Sequence, residues 1–173
     1  GFINAIKVEI QPDDAEWDAG DIRYNVLRWT SSPTPPFGGY GPSFVNPRTG
    51  QILGADIMLE YVYFTNRVKY EKIYDTYSSL NKELESCFAA PIMQQGNLFG
   101  AMVLNTQNQF SSLEQHRIIY ESLVKLTLHE VGHTLGLSHN FYSSHLHSFK
   151  NIHDRHITEP VGLTSSVMDY VSA

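Results

Sequence analysis

Three histidines and one glutamate are spaced so that they could hold a metal ion and use it for chemistry. His129 and His133 are four residues apart, so on a helix both imidazoles point from one face and can reach one ion. Glu130 is turned aside from that face and can stand beside the ion without binding it. Gly136 allows a sharp turn, after which His139 returns as a third ligand. Three protein ligands and an open fourth position indicate a catalytic Zn2+ site, with Glu130 as the general base that assists attack by a zinc-bound water.

A long helix has to carry the first two histidines. Ser111, followed three residues later by Glu114, forms a capping box of the kind that begins a helix. Apolar residues recur at helical spacing from Leu113 to Val131, and Gly136 is a typical residue just beyond a helix end. The pattern predicts a helix of about six turns that leads into the histidines.

The segments before this helix predict a sheet. Alternating or β-branched and aromatic residues predict strands at 2–10, 22–29 and 51–60. Proline and glycine are dense between residues 31 and 50, which predicts a loop that ends in a turn at Thr49-Gly50. Residues 64–90 have helical spacing, with their tyrosines on a packed face, whereas 98–104 could be strand or helix.

Composition narrows the class of protein. The chain has 173 residues, 42% of them hydrophobic and 17% charged, which is typical of one ordered globular domain. The formal net charge is −6 and basic residues form no run, so no nucleic-acid partner is expected. No apolar stretch reaches the roughly 20 residues of a membrane span. Cys87 is the only cysteine, which excludes an internal disulfide and a cysteine-based zinc cluster.

A second motif follows the third histidine. The stretch Ser165–Tyr170 has Met168 at its centre, and with the long histidine motif it resembles the metzincin clan of zinc peptidases. In that clan a tight methionine turn underlies the metal without binding it. The resemblance implies an α+β fold with a metzincin-like zincin core: a mixed twisted sheet, a long active-site helix and a small C-terminal subdomain that carries the methionine turn. We therefore expect residues 1–173 to be one catalytic domain excised from a longer protein, with 1–136 as the N-terminal subdomain and 137–173 as the start of the C-terminal one.

The resemblance also implies an activity and further site residues. It implies a zinc endopeptidase that acts on a protein or peptide substrate. Tyr170 stands two residues after Met168, as in astacin-like and serralysin-like members, where such a tyrosine can bind zinc or stabilise the oxyanion; a merely packed tyrosine is the alternative. Strand 51–57 is expected to be the edge strand that pairs with substrate, with Gly54, Ala55 and Asp56 as substrate-binding residues, unless it is an ordinary interior strand.

Several alternatives stay open. Asn140 follows the third histidine, and together with upstream segments it makes the chain resemble large secreted bacterial metzincins, which implies a secreted, periplasmic or cell-surface location. A zinc-binding scaffold that binds peptides without turnover and a non-peptidase zinc hydrolase are the competing functions. Four further histidines could form a second metal site, but their irregular spacing favours solvated or hydrogen-bonded side chains: His145, His147, His153 and His156.

Overall fold

The computed structural model describes residues 3, 5–32, 37–61, 96, 99 and 111–170. This part of the chain combines a mixed sheet with a long helix, which confirms the predicted α+β class. The strands are β1 (Val26–Thr30), β2 (Gly39–Tyr40), β3 (Ser43–Val45) and β4 (Ile52–Glu60). The helices are α1 (Ser112–Thr134), a 3-10 helix (Phe141–Leu146) and α2 (Arg155–Val161). None of the described helices is long and apolar enough to cross a membrane.

β4 is the central strand of the sheet. β1 runs parallel to it, with Val26 opposite Asp56, and β2 and β3 run antiparallel to it on its other side. The register is constant from Gly39, opposite Leu59, to Phe44, opposite Gly54, and it shifts between Phe44 and Val45. Backbone hydrogen bonds from Glu60 to Gly38 and from Asp56 to Pro42 continue the same ladder. Residues 38–44 therefore form one continuous edge strand, which we call the edge segment.

The prediction that β4 is an edge strand is wrong. The N–H of Ala55 donates to the side-chain oxygen of Asn25 over 2.8 Å, and the N–H of Asp56 donates to the Pro42 carbonyl over 3.2 Å. Gly54 is paired with Phe44. Because these backbone groups are already paired, Gly54, Ala55 and Asp56 are not placed to receive an extended substrate. The segment predicted to be only loop supplies the edge instead.

Two further predictions about the sheet need correction. Residues 5–10 form no strand, and Ile6, Val8 and Ile10 are 59%, 90% and 96% exposed, so their alternation buries no face. β1 begins four residues later than predicted, because the side chain and carbonyl of Asp21 close a turn over residues 21–24. The predicted turn at Thr49-Gly50 is confirmed. The prediction for 64–90 lies outside the described residues. Of the segment 98–104 only Phe99 is described, and it is helical, as is Gly96 just before the segment.

The long helix forms as predicted. Ser111 is its N-cap, and its hydroxyl accepts a hydrogen bond from the N–H of Glu114 over 3.2 Å. One face of α1 packs on β4, where Leu126 meets Ile57 and Leu59 in the buried core. Strand β4 and helix α1 are thus fixed against each other, and the histidines lie in the last two turns of that helix.

The C-terminal end of α1 redirects the chain towards the third histidine. Gly136 has φ +86°, the left-handed conformation that glycine adopts readily. The N–H of Leu137 donates to Gly132 and the N–H of Gly136 donates to His133, which is the Schellman pattern. The helix therefore ends at Thr134 because of a local signal in the sequence. The predicted division into subdomains at residue 136 stays a prediction.

Candidate metal centre

The structure brings three imidazoles to one point. The ligand nitrogens of His129, His133 and His139 all lie within 4.8 Å of one another. Nε2 of His133 is 3.1 Å from Nε2 of His139. Zn–N bonds of about 2.0–2.1 Å place two tetrahedral ligands roughly 3.3 Å apart, so this pair already has the separation that one zinc ion requires.

Backbone carbonyls fix the tautomers of the two helical histidines. Nδ1 of His129 lies 2.7 Å from the carbonyl of Val167, and Nδ1 of His133 lies 2.9 Å from the carbonyl of Leu137. A carbonyl can only accept, so each Nδ1 carries the proton and donates it. Each Nε2 is left with a free lone pair, which is the arrangement in which histidine binds a metal.

The electrostatic surroundings favour neutral imidazoles. Burial lowers the pKa of His129, and the charges of His133, His139 and Lys125 lower it further, although the hydrogen bond to Val167 opposes them. Burial also lowers the pKa of His139, again with a contribution from His133. Only a neutral imidazole can bind a metal, so these pKa shifts favour the metal-binding form of His129 and His139.

A buried nitrogen tests whether the site fits zinc. Nε2 of His129 is buried and has no hydrogen-bond partner among the described residues. A buried polar atom without a partner is costly and calls for an explanation such as an ion. Three neutral imidazoles form a donor set that suits zinc. The three-histidine group is thus able to bind a metal ion of this kind, and it is the only such group among the described residues.

The methionine turn lies directly beneath the helix. Met168 is 2% exposed, and a Cβ added to Gly132 would overlap its sulfur. Only glycine at 132 lets the turn approach so closely, between the two helical histidines. The neighbouring Val167 carbonyl then reaches His129. The turn therefore supports the metal centre through a backbone hydrogen bond and through packing.

The edge segment encloses Glu130. The Glu130 side chain is fully buried, and a Cβ added to Gly39 would lie 2.6 Å from its Oε1. A Cβ added to Gly41 would lie 2.7 Å from the Glu130 carbonyl oxygen. The two glycines therefore let the edge segment lie against α1 at the predicted base.

Tyr170 also reaches the centre. Its hydroxyl oxygen is 2.6 Å from Nε2 of His139, the nitrogen that also faces His133. The Tyr170 ring is stacked on that of His129, with centroids 5.4 Å apart. Tyr170 is therefore within reach of whatever His139 binds, as a ligand or a hydrogen-bond donor.

The sequence reasoning missed three contributors. The carbonyls of Val167 and Leu137 carry no side-chain signal, so nothing in the pattern could have indicated them. The edge segment did carry a signal, since glycine occupies 38, 39 and 41, but proline and glycine density predicted a loop. Two of the four later histidines make the contacts that the favoured alternative predicts: His147 bonds the Gly162 carbonyl over 2.7 Å, and His145 stacks on Tyr142.

Comparison with known proteins shows a family similarity over the C-terminal part of the chain. Residues 111–173 match the family model described as Met-zincin. Comparison with curated proteins and with solved structures gives no match. The matched segment holds all three histidines, Glu130 and the methionine turn, and with the three-histidine group it points to zinc as the cofactor. Part of this chain, residues 111–173, is thus similar to the Met-zincin family and resembles a zinc metallopeptidase domain.

Proposed function

We propose that this protein is a zinc-dependent endopeptidase in which Glu130 is the general base. One observation carries the proposal: three imidazoles converge on one point, and the carboxylate next to the first of them is held in a buried position. A structural zinc site is closed by four protein ligands, whereas this one offers three histidines and no described cysteine or carboxylate as a fourth. With three protein ligands, one coordination position of a zinc ion would be left for water or substrate.

Each residue then has a task. His129, His133 and His139 hold zinc, which when bound polarises a substrate carbonyl and lowers the pKa of water towards about 7. Glu130 removes the proton from the water that attacks the peptide carbonyl carbon. It then delivers that proton to the nitrogen of the leaving amine, so no covalent intermediate with the protein is needed. The Tyr170 hydroxyl donates a hydrogen bond to the oxygen on which negative charge develops.

The substrate is proposed to bind along the edge segment. Among the described residues, β2 and β3 pair only with β4, so their other side presents backbone groups that an extended peptide can pair with. Gly39 lies against Glu130, which brings a peptide on this strand next to the base. This placement replaces the earlier one on Gly54, Ala55 and Asp56. The secreted, periplasmic or cell-surface location stays a prediction.

Glu130→Gln tests the role of the base. The full-length protein and the variant are incubated with a mixed peptide library at saturating zinc, with and without chelator. We expect chelator-sensitive cleavage by the wild type and a loss of more than about a hundredfold in the variant. Zinc content measured by mass spectrometry should be the same in both, because Glu130 is not a ligand.

Glu121→Gln is the matched control, since Glu121 lies on the same helix but is exposed. It should cleave like the wild type. If wild type and Glu130→Gln are equally inert while both bind zinc, the protein is a zinc-binding scaffold and not an endopeptidase. Cleavage of esters or sugars without cleavage of peptides would indicate the non-peptidase hydrolase.

A further inference from the structure

A buried polar pair lies beside the metal centre without taking part in the proposed chemistry. Ser143 in the 3-10 helix is 2% exposed and Asp169 in the methionine turn is 4% exposed. The Ser143 hydroxyl lies 2.9 Å from Oδ2 of Asp169 and 2.8 Å from the carbonyl oxygen of Asn140. Its single hydrogen therefore faces two acceptors, one of them a carboxylate. Charge-assisted hydrogen bonds away from water are among the stronger ones in proteins.

The backbone of Ser143 makes the same connection. Its N–H donates to Asn140 over 3.1 Å, and its carbonyl accepts from Ser165 over 3.2 Å. The N–H of Asn140 donates to Met168 over 2.9 Å. The chain that follows the third histidine is thus tied to both ends of the methionine turn, and Ser143 takes part in most of these bonds.

The segment that carries His139 is weakly packed. Residues 135–142 are all exposed, so packing does little to fix them. His139 directly precedes Asn140, and Tyr170 directly follows Asp169. Asp169 is therefore the sequence neighbour of Tyr170, and Ser143 is hydrogen-bonded to Asn140, the sequence neighbour of His139.

Helix α1 also faces this carboxylate. Lys125 lies about one turn before His129 on that helix. Burial lowers the pKa of Lys125, and the negative charge of Asp169 opposes that effect. Asp169, in the methionine turn, thus interacts with Ser143 of the 3-10 helix and with the charge of Lys125 on α1.

We propose that Ser143 and Asp169 are positioning residues that hold His139 and the Tyr170 hydroxyl in place relative to His129 and His133. Neither residue touches metal or substrate. The inference rests on the proposed function only in taking the three histidines as the zinc site. Metal binding can therefore test it without any measurement of peptide cleavage.

The test measures metal binding by Ser143→Ala, Asp169→Asn and the double variant in the full-length protein. The zinc Kd is determined by competition with a chromophoric chelator, and the visible spectrum is recorded with cobalt in place of zinc. We expect each single variant to raise the Kd about tenfold to a hundredfold and to change the cobalt spectrum. The double variant should stay within about threefold of the weaker single one, because Ser143→Ala removes the donor of the same bond whose acceptor loses its charge in Asp169→Asn.

Ser144→Ala is the matched control. Ser144 lies in the same 3-10 helix and also bonds a carbonyl three residues earlier, but it is exposed and does not contact Asp169. Its Kd and cobalt spectrum should equal those of the wild type. Asp169→Asn keeps the shape of the side chain, so it should fold even if Ser143→Ala does not.

Three results would overturn the proposal: a Kd and cobalt spectrum unchanged in folded Asp169→Asn, an equal effect of Ser144→Ala, or additive effects in the double variant. A merely structural role would lower the melting temperature of the metal-free protein and leave the cobalt spectrum of the folded fraction unchanged. If the variants weaken zinc binding as expected but the wild type cleaves no peptide, the proposed function fails and the positioning role stands.

Discussion

Gly39 lies against the carboxylate of Glu130, so closely that a Cβ at position 39 would stand 2.6 Å from Oε1. The contact joins two elements, since Glu130 lies on α1 and Gly39 lies in the edge segment that pairs with β4. The edge strand of the sheet and the predicted base are therefore adjacent by construction of the fold.

Alanine at the two glycines of the edge segment should have different effects. At position 39 the new Cβ meets the far end of a side chain, whereas at 41 it meets the helix backbone. We expect Gly39→Ala to displace the carboxylate and lower kcat about tenfold or more while zinc content and stability change little. Gly41→Ala should instead lower the free energy of unfolding, measured in urea, by about 1–3 kcal/mol, since helix or strand must shift. Val45→Ala, on an exposed residue of the same region, should change neither quantity.

Removal of the Tyr170 hydroxyl tests its role in the reaction. Because this oxygen lies 2.6 Å from Nε2 of His139, Tyr170→Phe deletes a donor at the centre while it keeps the ring stacked on His129. We expect kcat to fall about tenfold to a thousandfold, with KM and zinc content nearly unchanged. Equal kcat in the variant and the wild type would mean that Tyr170 only packs against the site.

Core packing between α1 and β4 should dominate the stability of the described fold. Leu126 is fully buried against Ile57 and Leu59. Leu126→Ala should therefore lower the free energy of unfolding by about 2–5 kcal/mol in urea titrations. Leu128, two residues later on the same helix, is 50% exposed, and Leu128→Ala should cost less than about 1 kcal/mol. Similar losses at both positions would contradict the described packing.

Acid should destabilise the metal-free protein through its buried histidine. The pKa of His129 is lowered by burial from the ordinary 6.5, so below pH 6.5 the unfolded chain binds a proton that the folded chain does not. The stabilising contribution is therefore complete above pH 6.5 and is lost as the pH falls through the lowered pKa. We expect urea unfolding with chelator to show lower stability at pH 5.5 than at pH 7.5. His139, whose pKa is also lowered, adds to the same trend.

His129→Gln is expected to reduce that pH dependence, whatever it does to stability at pH 7.5. The control is His153→Gln, which changes an exposed histidine and should leave the slope as it is in the wild type. A slope that survives in His129→Gln would assign the acid sensitivity to other groups.

Signals within a few residues of each other were the ones that the sequence revealed. The cap at Ser111, the apolar spacing of α1 and the left-handed turn at Gly136 are all local, and each predicts structure without knowledge of the rest of the chain. The ligand spacing is local in the same sense for His129 and His133. The long helix and the zinc-binding histidines could therefore be predicted together.

Pairing between distant segments could not be predicted in this way. β4 has the composition of a strand. Its own residues do not indicate that β1 pairs with one side of it and the edge segment with the other, because that depends on segments elsewhere in the chain. Gly38, Gly39 and Gly41 favour a loop locally, yet the close approach to Glu130 requires small residues in that strand. Residues 5–10 show the opposite case: their alternating apolar residues favour a strand locally, yet they pair with none of the described strands.

The contact of Gly132 with Met168 offers a test of the methionine turn that does not depend on activity. A Cβ at 132 would overlap the Met168 sulfur, so Gly132→Ala should push the turn away from α1 and lower stability. Displacement of the turn would also move the Val167 carbonyl from His129, so the zinc Kd should rise.

Met168→Ala alone should be destabilising as well, because it leaves a cavity at a buried site. In the double variant the new methyl group occupies part of that cavity, and we expect its loss of unfolding free energy to be smaller than the sum of the two single losses by about 1 kcal/mol or more. Additive losses would show that residues 132 and 168 do not touch, and the turn would then not support the histidines from below.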